Sequence, residues 1–145
     1  MERPLKEYFL PDYQFYLDNI TYQRLGDITY QTQLSLICSD NITVTLEPDA
    51  KARLLVKRDI SFDPNGIFDI SISFGAELSF NPETSSGIDW NKINLAEEFK
   101  NNEDFVINNL LSRTALLTAQ ITSSFGQQPL VLPGSLTKHK PTTNL

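Results

Sequence analysis

From Phe68 to Phe80 every second residue is apolar. Phe68, Ile70, Ile72, Phe74, Ala76, Leu78 and Phe80 share one parity, and Asp69, Ser71, Ser73, Gly75, Glu77 and Ser79 share the other. Successive side chains of a strand point to opposite faces, so this run is a strand with one buried face and one wet or lightly covered face. A strand of that kind belongs to an antiparallel sheet with a packing layer on one side only. Asp63-Pro64-Asn65-Gly66, just before it, is turn chemistry, because Asn-Gly tolerates the positive φ of a tight hairpin.

The residues upstream read the same way. Residues 13–24 are aromatic and β-branched, with Tyr13, Phe15 and Leu17 on one parity and Tyr16, Ile20 and Tyr22 on the other. The parity breaks near Asp18-Asn19, which predicts a bulge or bend within one strand. After a turn at Gly26-Asp27, Ile28, Tyr30, Leu34, Leu36 and Cys38 alternate with polar residues. Ser39-Asp40-Asn41 reads as another turn, followed by Ile42, Val44 and Leu46. Pro48-Asp49 interrupts, and Ala52, Leu54 and Val56 resume against Arg53, Leu55 and Lys57.

Beyond Asn81-Pro82 the pattern changes. Residues 83–104 form an acidic connector carrying Glu83, Asp89, Glu97, Glu98, Glu103 and Asp104, with Trp90 and Phe99 as anchors. From about Glu103 the period becomes helical, with Val106, Leu110, Leu117, Ile121 and Phe125 on one stripe and Ile107, Leu111 and Ala115 beside it. Asn102 is the expected cap, and Gly126 with Pro129 ends the helix, which at ~1.5 Å per residue is about 35 Å long. Leu116 and Ala119 lie off the main stripe, so this is either a fully covered core helix or one that also packs on another subunit. Leu130-Val131-Leu132 between Pro129 and Pro133 is an extended stretch whose leucines must dock somewhere. Residues 1–137 read as one domain and 138–145 as a flexible tail.

The composition narrows the function. Nine Phe, five Tyr and one Trp exclude disorder for most of the chain. A net charge of -6 gives no basic field for nucleic acid. Cys38 is the single cysteine and His139 the single histidine, so internal disulfides, most zinc chemistry and His-based triads fall away. Cys38 shares the apolar parity and reads as a buried structural thiol. Glu97-Glu98 and Glu103-Asp104 read as a solvated connector and helix start rather than an acid/base pair, which needs a cleft. Lys51, Arg53, Lys57 and Arg58 read as one basic strand face, protected or ion-paired. The start, Met1-Glu2-Arg3-Pro4-Leu5-Lys6, has no apolar core of a signal peptide, and no run is long enough to span a membrane. The expectation is a cytoplasmic protein that is not an enzyme and uses no cofactor or metal.

Ile107-Asn108-Asn109-Leu110-Leu111-Ser112-Arg113, the helix to Gly126 and Pro129-Leu130-Val131-Leu132-Pro133 together resemble the SecB family of export chaperones. Asp18-Asn19-Ile20-Thr21-Tyr22-Gln23 is similar to that family's first-strand signature. The resemblance covers two separated pieces of the chain; the middle strands match in pattern only. It implies an α+β fold, a four-stranded antiparallel sheet with a long C-terminal helix packed on one face. It further implies a nucleotide-independent holdase that binds unfolded polypeptides or preproteins in apolar grooves, assembles as a dimer or tetramer, and serves protein export. The family's acidic positions that contact the translocation ATPase stand here as Asn19 and Gln23, which weighs against that partner. The second helix is short or missing and the zinc-binding tail is absent. Relatives of this family also serve toxin–antitoxin pairs.

The expected peptide groove is the strand region after Gly26, with Tyr30, Leu34, Ile42 and Val44, together with Leu117 and Ile121 of the helix and Leu130 and Leu132 beyond it. A non-enzymatic adaptor with one dedicated partner, such as a toxin–antitoxin or phage component, and a small-ligand-binding α+β domain are the other classes open to this chain.

Overall fold

The computed structural model describes residues 1–26, 34–64, 66–124, 128–137 and 142–144. Four long strands form the sheet: β1 (Gln14–Arg24), β2 (Ser35–Glu47), β3 (Lys51–Asp63) and β4 (Phe68–Ser79). Every pairing is antiparallel, and the order is β1-β4-β3-β2 with a short β5 (Thr142–Asn144) added beside β2. Thr142–Asn144 thus forms a strand inside the stretch read as a loose tail. The fold is α+β, with the helices on one face of the sheet, as expected.

The parity break in β1 is a bulge. The register with β4 shifts between Leu17 and Asn19, leaving Asp18 without an opposite residue. Opposed residues share a face, so Phe15 (opposite Ala76), Leu17 (Phe74), Ile20 (Ile72) and Tyr22 (Ile70) all point to the helix side despite their mixed parity. Asp18 accepts a 2.8 Å hydrogen bond from the Ser73 hydroxyl. On the other face the Tyr16 ring lies across Gly75, where a Cβ would come within 2.4 Å of its Cζ.

Two expectations for the strands need correction. Ser39-Asp40-Asn41 is not a turn: β2 runs unbroken from Ser35 to Glu47, because β3 supplies a partner for every residue through it. The turn comes later, at Pro48–Ala50, with Asp49 and Ala50 in the left-handed region at φ 65° and 56°. The basic face is also divided. Lys51, Arg53 and Lys57 lie on the wet face and pair with Glu77, Glu47 and Asp59. Arg58 points the opposite way and is completely buried. The turn residue Asn65 and the segment 27–33 lie outside the described residues.

The connector contains structure of its own. Asn81 caps α1 (Pro82–Ser85), Asp89 caps a single 3-10 turn at Trp90–Lys92, and Asn94 caps α2 (Leu95–Asn101). Glu97 and Glu98 sit in the first turn of α2, where negative charge suits the helix dipole. The long helix is shorter than expected: α3 spans Ile107–Ser123, 17 residues, and Asn102 closes α2 instead of opening α3. The sheet-facing stripe also differs. It is Ile107, Leu110, Leu111, Thr114, Thr118 and Thr122, with Leu117 and Ile121 half-buried at its flank. Each threonine hydroxyl donates to the carbonyl one turn back, to Leu110, Thr114 and Thr118 in turn, so these hydroxyls are satisfied within the helix and can face the sheet without a partner there. Phe125 lies outside the described residues.

The core has two halves. In one, Leu5, Tyr8 and Phe9, α2 and the start of α3 pack on Leu54, Val56, Ala76 and Leu78, around a fully buried Phe99. In the other, the end of α3 and the segment after it, among the described residues, cover Leu36, Cys38, Ile60, Phe62, Phe68, Ile70 and Ile72.

Candidate polypeptide-binding surfaces

α3 lies over β4 and β3. β1 is therefore left with core-facing side chains and little to cover them: Leu17 is 48 % exposed, Ile20 37 % and Tyr22 40 %. Leu25 beyond the strand and Leu116 on the outward side of α3 are exposed as well. Near the start of β1, the Arg113 guanidinium sits 5.0 Å over the Phe15 ring and its Nε donates 2.7 Å to Asn109. Among the described residues β1 is an edge strand of the sheet, with β4 as its paired neighbour.

The second surface is on the β2 side. Residues 128–137, here called the strap, run extended beside the end of α3. Burial alternates along it: Leu130, Leu132, Gly134 and Leu136 are half-buried, while Val131, Pro133 and Ser135 are exposed. Leu130 and Leu132 pack with Leu117 and Ile121 onto the second half of the core. Beneath the strap lies a fully buried ion pair between directly opposed residues of β2 and β3. Arg58 Nε and Nη2 donate 2.7 and 2.9 Å to the two carboxylate oxygens of Asp40. Arg58 Nη1 and Nη2 also donate to the carbonyls of Pro133 and Ser135, at 2.7 and 3.0 Å. Asp40 Oδ2 accepts from the Thr137 backbone N–H and hydroxyl, at 3.1 and 3.2 Å. Burial alone would lower the Arg58 pKa; the hydrogen bonds and charge of Asp40 outweigh it and leave it raised, so the guanidinium stays charged.

Asp40 also borders a cleft of about 570 Å³ between β2, α2 and the end of the strap, lined by Asn41, Ile42, Glu97, Lys100 and Leu136 among others. Its lining is more polar than apolar.

The residues expected in one groove separate. Leu34, Leu117, Ile121, Leu130 and Leu132 come together in the second half of the core, whereas Ile42 and Val44 pack against the first. Tyr30 lies outside the described residues. Sequence reading missed Leu17 and Ile20 as exposed apolar side chains, and it missed Asp40 and Arg58. A parity argument would have found the pair: Asp40 shares the face of Cys38 and Ile42, and Arg58 that of Val56 and Ile60.

Cys38, beside the ion pair, is 1 % exposed. Burial pushes its thiol up to about 11 from 9.0, with Arg58 pulling down and Asp40 and Asp59 adding to the rise. The folded chain therefore keeps this proton where the unfolded chain loses it. The stability it contributes is full below about pH 9 and is lost as the pH rises towards about 11. Between those limits the wild type is expected to lose about 2 kcal/mol more than Cys38→Ala, measured by urea unfolding across the range. Equal losses in the two proteins would count against the burial of the neutral thiol.

Neither a protein-family model nor a curated protein matches this chain by sequence. Comparison with solved structures does find a match. The SecB-like chaperone Rv1957 of Mycobacterium tuberculosis, solved in complex with a ChAD peptide from the HigA1 antitoxin, superimposes with a TM-score of 0.61 over 82 % of each chain, at 11 % identity. The fold is SecB-like. This agrees with the family resemblance carried by the first strand and the helix, and at that identity it is the fold that the match establishes. Within this SecB-like fold, no described helix is long and apolar enough to cross a membrane. Among the described residues no three His, Cys, Asp or Glu side chains converge as metal ligands would.

Proposed function

We propose that this SecB-like chain is a non-enzymatic polypeptide-binding protein of the holdase type, which works in the cytoplasm without nucleotide, cofactor or metal. The observation that carries the proposal is the β1 surface. Leu17, Ile20 and Tyr22 project from the core side of the sheet yet stay exposed, along an edge strand of the described sheet. An unfolded segment gains apolar contact there, and its backbone finds ladder partners on β1, which together favour extended chains without requiring a particular sequence. The Mycobacterium neighbour, a chaperone in complex with an antitoxin peptide, supports polypeptide as the class of ligand. Assembly into a dimer or tetramer is part of this reading, with the outward Leu116, 62 % exposed, as an apolar contact for a second copy. Service in protein export is the finer form of the reading, with contact to the translocation ATPase opposed by Asn19 and Gln23.

The test is suppression of aggregation of several unrelated unfolded proteins at near-stoichiometric ratios, with solution mass measured alongside. Wild type is expected to suppress all of them. Leu17→Ser/Ile20→Ser is expected to weaken suppression several-fold while costing no more than about 2 kcal/mol in urea unfolding, since both side chains are only partly buried. A monomer that suppresses none would sink the proposal. A second reading, an adaptor for one partner, is favoured by the single antitoxin peptide in the neighbouring structure; such a protein would fail the aggregation assay yet retain one partner at fixed stoichiometry.

A further inference from the structure

The strap is held in an unusual way for an extended segment lying beside a sheet. Among the described residues it makes no backbone–backbone hydrogen bonds. Its backbone is held by side chains instead: Leu130 N–H by the Thr122 hydroxyl at 2.8 Å, the carbonyls of Pro133 and Ser135 by Arg58, and Thr137 N–H by Asp40. Residues 133, 135 and 137 present these groups on one side of the extended chain, two residues apart. Such groups exist in any extended polypeptide, so the contact reads backbone spacing, not side-chain identity. Specificity comes from the alternation, which sends Leu130 and Leu132 inward onto the second half of the core and leaves Val131 76 % exposed.

We propose that the recess over Leu36, Cys38 and Ile60, with the Asp40–Arg58 pair at its end, is a second polypeptide-binding site that the chain's own strap occupies. Its ligand is an extended segment with large apolar residues at alternate positions, taken in place of the strap. The exchange replaces each side-chain-to-backbone hydrogen bond by an equivalent one and each inward leucine by another apolar side chain. Arg58 stays paired to Asp40 throughout, so no buried charge is left bare while the strap is out. The strap thus competes with the ligand, whose apparent affinity scales with the fraction of time that the strap is unseated. This inference rests on the reading of the chain as a polypeptide binder and adds a site and a class of segment to it.

A tether tests it. A Cβ built on Gly134 lies 3.5 Å from the Cβ of Ser112 on α3, within the ~3.5–4.5 Å of a disulfide. Ser112→Cys/Gly134→Cys, in a Cys38→Ala background so that one pair alone forms, locks the strap when oxidised and frees it when reduced. The probe is a fluorescent synthetic peptide of residues 128–137. Binding is expected in the reduced form and at least about tenfold weaker in the oxidised form, because the competent state is withdrawn. Leu130→Ser/Leu132→Ser, whose strap competes poorly, is expected to bind the probe several-fold more tightly than wild type. Equal binding in the two redox forms, or no gain in the strap variant, would overturn the proposal. Aggregation suppression through β1 is expected to persist in both redox forms. Its loss in both would count against the holdase reading, whereas redox-independent peptide binding counts against the strap site alone.

Discussion

Asp40→Ala is expected to destabilise the fold by about 3–5 kcal/mol, read from the shift of the urea unfolding curve. Both side chains of the pair are completely buried, and Arg58 spends two of its donors on Asp40. Removing the carboxylate leaves a guanidinium out of water with only the carbonyls of Pro133 and Ser135 to face. An arginine keeps its proton even when buried, so the charge cannot escape by deprotonation. It also frees Thr137, whose N–H and hydroxyl both rest on Asp40. The double variant Asp40→Leu/Arg58→Met is expected to recover most of the loss, since an apolar pair of similar volume carries no desolvation penalty. A loss under about 1 kcal/mol in Asp40→Ala would show that the pair is not buried as described. Because Cys38 lies beside the pair, thiol labelling in native buffer is expected to speed up in Asp40→Ala as the strap loosens.

Phe99→Ala is expected to cost about 3–5 kcal/mol by a different route, the loss of a large side chain and the cavity it leaves. Phe99 is fully buried, stacks on Phe105 at 5.8 Å with rings 9° apart, and meets Phe9 at 5.7 Å. It joins α2 to the N-terminal segment and to the entry of α3, and through Phe9 to the stacked Phe80 at the end of β4. Urea unfolding measures the cost, and Cys38 labelling separates the two variants. The strap half does not contain Phe99, so labelling in Phe99→Ala is expected to remain slow until the whole domain unfolds. A labelling rate as fast as in Asp40→Ala would mean that the core is one cooperative unit rather than two halves.

These two sites differ in how legible they were in the sequence. Period-two alternation identified β4, and the parity break at Asp18-Asn19 identified the bulge that turns Leu17 and Ile20 to the same face. Trp90 and Phe99 were recognised as anchors of the connector, where they pack on Phe80 and Phe105. Local turn chemistry misled at Ser39-Asp40-Asn41. Those residues favour turns in isolation, but a full ladder with β3 overrides that preference. Helix periodicity misled at the end of α3. Threonine reads as polar, yet Thr114, Thr118 and Thr122 satisfy themselves on their own helix and take the buried stripe, displacing Leu117 and Ile121 to its flank. Grouping Arg58 with Lys57 by adjacency hid the face that it occupies.

By itself the sequence determined the antiparallel sheet and the layer of helix on one face, because alternation and period are local properties. Which apolar residues stay uncovered was decided only in three dimensions. α3 crosses β4 and β3, so β1 keeps its apolar side chains in the open, while the strap closes over the β2 side and is pinned there by Asp40 and Arg58. Burial depends on what arrives from distant parts of the chain, and no local pattern specifies where a helix stops or which edge it leaves bare.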